Sequence, residues 1–62
     1  QANVDLKEIA DTVAENIDEY TSIHGGNGTT YIDENLIEIE HGISGRKANK
    51  VKSLVEKRGV EI

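Results

Sequence analysis

The sequence predicts a small α+β domain in which a two-stranded antiparallel hairpin is covered by two helices, in the order α-β-β-α with a possible short C-terminal strand. Three observations predict this fold. They are a capped amphipathic segment at residues 5–21, two β-branched runs around a polar turn within 29–40, and a second amphipathic segment at 45–58. Because 62 residues bury one core at most, residues 1–62 are expected to form a single small domain.

The first helix is predicted from its start signal. Asp5 is placed as N-cap, Glu8 three residues later closes a capping box, and Val4 is placed to pack on Ile9. At 100° per residue the apolar side chains share one face, which consists of Leu6, Ile9, Ala10, Val13, Ile17 and Tyr20. The opposite face is acidic and consists of Glu8, Asp11, Glu15, Asp18 and Glu19. The glycines of "HGGNG", residues 24–28, are expected to end this helix.

The hairpin is predicted from two β-branched runs, Thr29 to Ile32 and Leu36 to Glu40, that flank the turn-forming residues 33–35. Alternation places Ile37 and Ile39 on one face of the second strand and glutamates on the other. One side of the hairpin should therefore pack on the helices, which such a hairpin needs for stability.

The second helix is predicted to begin after Ser44 as N-cap. Its apolar stripe consists of Ala48, Val51, Leu54 and Val55. Gly59 stands where a C′ glycine belongs, and Val60 is placed to pack back on the helix. The terminal residues "VEI" are the possible third strand.

The composition narrows the classes of function. Cysteine is absent, so no disulfide or thiolate chemistry is available. No apolar run approaches the ~20 residues of a membrane span, and nothing is typical of a signal peptide, so the expectation is a soluble cytoplasmic protein. His24 and His41 could bind a metal together with Asp33 or Glu40, but their spacing matches no zinc motif. The prediction is a non-enzymatic protein without metal or cofactor.

Charge is strongly segregated along the chain, whose formal net charge is -5. Residues 1–40 carry ten acids and one lysine, whereas residues 41–62 carry six cations and two acids. Within the second helix a ridge opposite the apolar stripe contains no acid and consists of Arg46, Lys50, Ser53 and Lys57. Arg46 and Lys47 also fall in the first turn, where the helix dipole disfavours positive charge.

A bound phosphate would explain this placement, because the free N–H groups at a helix N-terminus bind anions. The residues predicted to contact a nucleic acid are Ser44, Gly45, Arg46, Lys47, Lys50 and Lys57. Two other interpretations stay open. The ridge could be an ordinary solvated face that balances the acidic one, or it could form salt bridges with an acidic protein surface.

The segments "DLKEIA", "GGNGT", "LIEIE" and "KVKSLVEKRG" occur in an order that resembles the later part of the small translation initiation factor 1 (Sui-type) family. This resemblance implies that Arg46, Lys47 and Lys50 match a basic, RNA-facing helix start. "GISG", followed by Ala48 and Val51, is also similar to the GxxG loop of KH RNA-binding domains. The predicted topology is similar to that of phage head-completion joiner proteins.

The predicted function is a small binding protein that contacts RNA, a ribonucleoprotein or another phosphate-rich partner through its basic second helix. The alternative is a protein-interaction or assembly module that uses the acidic first helix, either a phage-type small protein or a designed or excised domain.

Overall fold

A computed structural model describes residues 5–26, 28–60 and 62. Along the chain its elements are α1 (Leu6–Glu15), a 3₁₀ helix (Ile17–Tyr20), β1 (Thr21–Ile23), β2 (Thr30–Ile32), α2 (Glu34–His41) and α3 (Gly45–Lys57). The α+β class and the two-stranded antiparallel sheet are confirmed. The predicted α-β-β-α order is wrong, because two helices rather than one follow the hairpin.

Helix α1 begins as predicted and ends earlier. The Asp5 carboxylate accepts hydrogen bonds from the backbone N–H groups of Lys7 and Glu8, so this residue is the N-cap. Val4, the predicted packing partner of Ile9, lies outside the described residues. The helix ends at Asn16, whose side-chain amide and backbone N–H both donate to the Thr12 carbonyl. The chain then tightens into the 3₁₀ helix, which places Tyr20 in the core.

The hairpin lies one segment earlier than predicted. β1 pairs with β2 in the register Thr21 with Ile32, Ser22 with Tyr31 and Ile23 with Thr30. The glycine-rich segment 24–28, expected to end a helix, belongs to the connection between these strands, residues 24–29. Gly26 and Gly28 have φ of 88° and 72°, a conformation that glycine adopts at low cost.

The predicted second strand, Leu36 to Glu40, is helical and belongs to α2. The Asp33 carboxylate accepts from the backbone N–H of Asn35 at 2.9 Å, so the residue interpreted as a turn is an N-cap. Gly42, with φ of 62°, closes the other end and donates its N–H to the Glu38 carbonyl at 2.8 Å. The predicted alternation is therefore wrong, since Ile37 is buried while Ile39 is exposed.

Helix α3 confirms the prediction for the second helix. Ser44 is its N-cap, and Gly59 follows its end with φ of 72°. Val60 packs against the core as expected. Of the predicted terminal strand, Val60 and Ile62 adopt no strand conformation, and Glu61 lies outside the described residues.

The core takes side chains from every element except β1. Its buried side chains are Ile9, Ala10, Val13, Tyr20, Ile32, Ile37, Ala48, Val51 and Val55. Helix α1 packs mainly on α3, and α2 packs on the adjoining side of α3. Helix α3 is therefore held from two directions, while its remaining face is left open to solvent. Within the described part of the chain, no helix is both long enough and apolar enough to cross a membrane.

Candidate nucleic-acid interface

The inner face of α3 is fixed by the core. Ala48, Val51 and Val55 are completely buried, and Leu54 packs at the edge of the same cluster. At 100° per residue, the direction opposite this face holds the basic ridge of Arg46, Lys50, Ser53 and Lys57. These four side chains are all exposed, as the sequence predicts. The ridge covers eleven residue steps, or about 16 Å along the helix axis.

Two cations near the ridge are held by neighbouring helices. Lys52 Nζ lies 3.6 Å from Oε2 of Glu34 at the start of α2, and the same oxygen accepts from the Asn49 amide at 3.0 Å. Arg58 forms a salt bridge with Asp11 of α1. These contacts tie one edge of α3 to α2 and its C-terminal end to α1.

The other cations of α3 are free of such pairing. Among the described residues the salt bridges are those of Lys52 and Arg58, which leaves Arg46, Lys47, Lys50 and Lys57 exposed and without an acidic partner in the fold. Of the six cations within residues 46–58, two therefore form salt bridges with neighbouring helices and four are unpaired. These four are the charged residues that the sequence predicts for the interface.

The start of α3 already has a negative neighbour. A Cβ atom added to Gly45 would lie 3.4 Å from Oε2 of Glu38, so this carboxylate of α2 rests against the first residue of α3. Because anions are stabilising at a helix N-terminus, Glu38 offsets the unfavourable position of Arg46 and Lys47. The Ser44 hydroxyl also accepts from the backbone N–H of Lys47 at 3.4 Å. A phosphate bound at these amides is therefore not needed to explain the two cations, and the ridge side chains become the stronger candidate contacts.

A short turn positions α3 relative to α2. Three residues, Gly42, Ile43 and Ser44, separate the two helices. The N–H groups of Gly42 and Ile43 both bond to the Glu38 carbonyl, at 2.8 and 3.3 Å. The Ile43 side chain packs against the core. The turn is therefore fixed by hydrogen bonds and by packing, and the predicted site residues Ser44 and Gly45 lie where it passes into α3.

Sequence reasoning missed the acidic side chains that organise α3. The sequence predicts Glu34 in a turn and Glu38 on the outer face of a strand, which links neither of them to the basic helix. A helical interpretation of residues 34–41 places both on α2, but the partners of Glu34 lie fifteen and eighteen residues further on. Their pairing depends on how α2 packs on α3, which no local sequence pattern contains.

The two histidines contact aromatic rings. The ring of His24 stacks on Tyr31 with centroids 4.4 Å apart, and His41 Nε2 lies 3.0 Å from the Tyr20 hydroxyl. Residues 5–26, 28–60 and 62 contain no group of three or more histidine or acidic side chains arranged to hold a metal ion. They also enclose no pocket. The accessible chemistry of this part of the chain lies on its outer faces.

Tyr20 gives a pH-dependent prediction. Burial raises the pKa of Tyr20 above its usual 10.0, and the nearby Glu40 and Glu19 charges raise it further. As pH rises, the Tyr20 hydroxyl therefore loses its proton in the unfolded chain before it does so in the folded chain. The contribution of the protonated Tyr20 to folding stability is complete below the pKa of the unfolded chain and is lost as pH rises through the pKa of the folded chain. The free energy of unfolding, from urea titrations at about pH 8 and about pH 11, should fall less in Tyr20→Phe than in the parent chain. An equal fall in both proteins would contradict the prediction.

Comparison with known proteins adds no assignment to this geometry. No protein-family model matches the chain, and neither a curated protein nor a solved structure shows significant similarity to it. The resemblances to translation initiation factor 1, to the GxxG loop of KH domains and to phage joiner proteins stay predictions from the sequence. The charges and contacts of α3 are accordingly the observations from which a function can be proposed.

Proposed function

We propose that this chain is a small non-enzymatic protein that binds the phosphate backbone of RNA or another nucleic acid through the exposed face of α3. The observation that supports this proposal is the division of cations on that helix. Lys52 and Arg58 neutralise acids of the neighbouring helices, whereas Arg46, Lys47, Lys50 and Lys57 are exposed and form no salt bridge within the part of the chain that the structure describes. Unpaired cations grouped on one rigid helix are the electrostatic pattern expected of a phosphate-binding surface.

The distribution of charge over the fold supports an oriented contact. The acidic side chains of α1, Glu8, Asp11 and Glu15, and those of the 3₁₀ helix, Asp18 and Glu19, are all exposed. Because α1 and α3 pack on each other through their apolar stripes, most of their charged side chains lie on opposite sides of this contact, and Asp11, which pairs with Arg58, is the exception. A polyanion that approaches α3 therefore meets the basic side, while the acidic side disfavours other orientations.

The net charge of -5 sets the expected strength of binding. Nonspecific affinity for nucleic acids comes mainly from phosphate neutralisation and falls steeply with salt. Four free cations allow about four phosphate contacts, so the slope of log K against log salt should be no steeper than about -3.6 on duplex DNA. Binding should thus be clearest near 50 mM salt and weak at higher ionic strength.

A pair of lysines on α3 supplies the test. Lys50→Gln and Lys52→Gln each remove one positive charge two residues apart, but only Lys52 pairs with an acid of the fold. Fluorescence anisotropy with labelled nucleic acid should show weaker binding for Lys50→Gln and a salt slope lower by about one unit. Lys52→Gln should leave that slope unchanged.

Two results would count against the proposal. Equal losses in both variants would mean that net charge alone matters and that no defined face is used. No binding by the parent chain at low salt, with any nucleic acid, would leave the acidic face of α1 and a protein partner as the better explanation. Circular dichroism of each variant confirms that the fold is retained.

A further inference from the structure

Helices α2 and α3 have the connection typical of a helix-turn-helix. Three residues join them, and the first of these, Gly42, has the positive φ that such tight turns often require. In DNA-binding proteins of this type the second helix enters the major groove while the first crosses the backbone. Here the second helix is also the one that carries the unpaired cations.

Helix α3 is suited to insertion as a rigid body. Its 13 residues span about 20 Å, and Ala48, Val51 and Val55 anchor its inner side with no exposed surface. The contacts of Glu34 with Asn49 and Lys52 hold one edge. The four residues of its outer ridge, Arg46, Lys50, Ser53 and Lys57, include no acid.

The side chains of the ridge also fit a groove. Arg46 and Lys50 lie in the first two turns of α3, the part of a recognition helix that reaches base edges. Arginine and lysine pair with the guanine acceptors O6 and N7, and serine, here Ser53, bonds to several bases. Lys57, in the last turn, is placed for a phosphate contact.

A single-stranded partner has less support on this surface. Binding of unpaired bases relies on aromatic stacking platforms. Tyr20 is buried and bonded to His41, and Tyr31 stacks on His24 in the hairpin, so neither tyrosine lies on α3. The described residues form no pocket for an extruded base. The major groove of double-stranded RNA is too deep and narrow for side chains to read.

We infer that the nucleic acid recognised by this chain is duplex DNA, with α3 lying in the major groove. This inference rests on the proposed function, since it requires the same unpaired cations. It goes further by naming the partner and the way in which it is contacted.

The test compares four probes of one mixed sequence at low salt, namely duplex DNA, single-stranded DNA, single-stranded RNA and double-stranded RNA, each labelled with fluorescein. Anisotropy titrations should show duplex DNA bound more tightly than each of the other three probes. Amide chemical shifts should then change along α3 and in the turn before it when duplex DNA is added. The hairpin and the acidic face of α1 should change little.

The outcomes separate the inference from the proposed function. If single-stranded RNA binds as tightly as duplex DNA or more tightly, the duplex inference is overturned while phosphate binding by α3 stands. Equal binding of all four probes has the same meaning. If no probe binds, both ideas fail together. Shift changes centred on the hairpin or on α1 would overturn the assignment of α3 to the groove even if duplex DNA is preferred.

Discussion

Replacement of Ile37 by alanine is expected to lower the free energy of unfolding by about 2–5 kcal/mol. Ile37 is completely buried and is the one side chain of α2 that is fully inside the core. Its truncation leaves a cavity against α3 in addition to the lost burial. Because so small a domain is only marginally stable, a loss of this size should populate the unfolded state at room temperature. Urea titration followed by circular dichroism measures the change.

Ile39 provides the matched control for this measurement. It is the same residue type in the same helix, two positions away, and 78% of its surface is exposed. Ile39→Ala should therefore change stability by no more than about 0.5 kcal/mol. Equal losses in the two variants would contradict the helix and support the strand alternation predicted from the sequence, in which both isoleucines share the buried face.

The first and last helices could be predicted because their signals are local. The Asp5 and Ser44 caps and the glycine after α3 lie within two residues of the helices they delimit, and apolar periodicity runs through both helices. In these two helices the capping residues and the periodicity favour the structure that is observed, and the burial of the apolar stripes in the core favours the same structure.

Helix α2 could not be predicted with the same rules. Its eight residues contain β-branched side chains that also suit a strand, and a short apolar run is ambiguous between the two. Asp33 is a good turn residue and a good N-cap, so it does not distinguish a turn before a strand from the start of a helix. The strand partner of β2 was also missed, because residues 21–23 continue the polar and apolar pattern of the preceding helix.

For the candidate interface, the sequence predicts only which side chains of α3 are exposed. Helical spacing alone shows that Arg46, Lys50 and Lys57 face away from the core. The pairing of Lys52 with Glu34, and the position of Glu38 beside Gly45, follow from the packing of α2 on α3. The distinction between structural and unpaired cations, on which the proposed function depends, therefore required the three-dimensional arrangement.

The second large effect is expected at Gly42, the residue that turns the chain from α2 into α3. Its φ of 62° lies in the left-handed region, where a side chain costs an L-residue about 1–2 kcal/mol. A Cβ atom added at this position would meet no other atom within 4 Å. The loss in Gly42→Ala should therefore be purely conformational and should appear in urea titrations as a destabilisation of about 1–2 kcal/mol.

Two further variants test that explanation. At Gly25 φ is not positive and an added Cβ meets nothing within 4 Å, so Gly25→Ala should not destabilise the protein. Asparagine tolerates the left-handed conformation better than alanine does, so Gly42→Asn should recover part of the loss. If Gly42→Asn and Gly42→Ala are equally destabilised, the cost is not set by φ. If Gly42→Ala is as stable as the parent chain, the turn does not hold the left-handed geometry at residue 42. The turn could then no longer explain how α2 and α3 are fixed with the basic ridge facing outward.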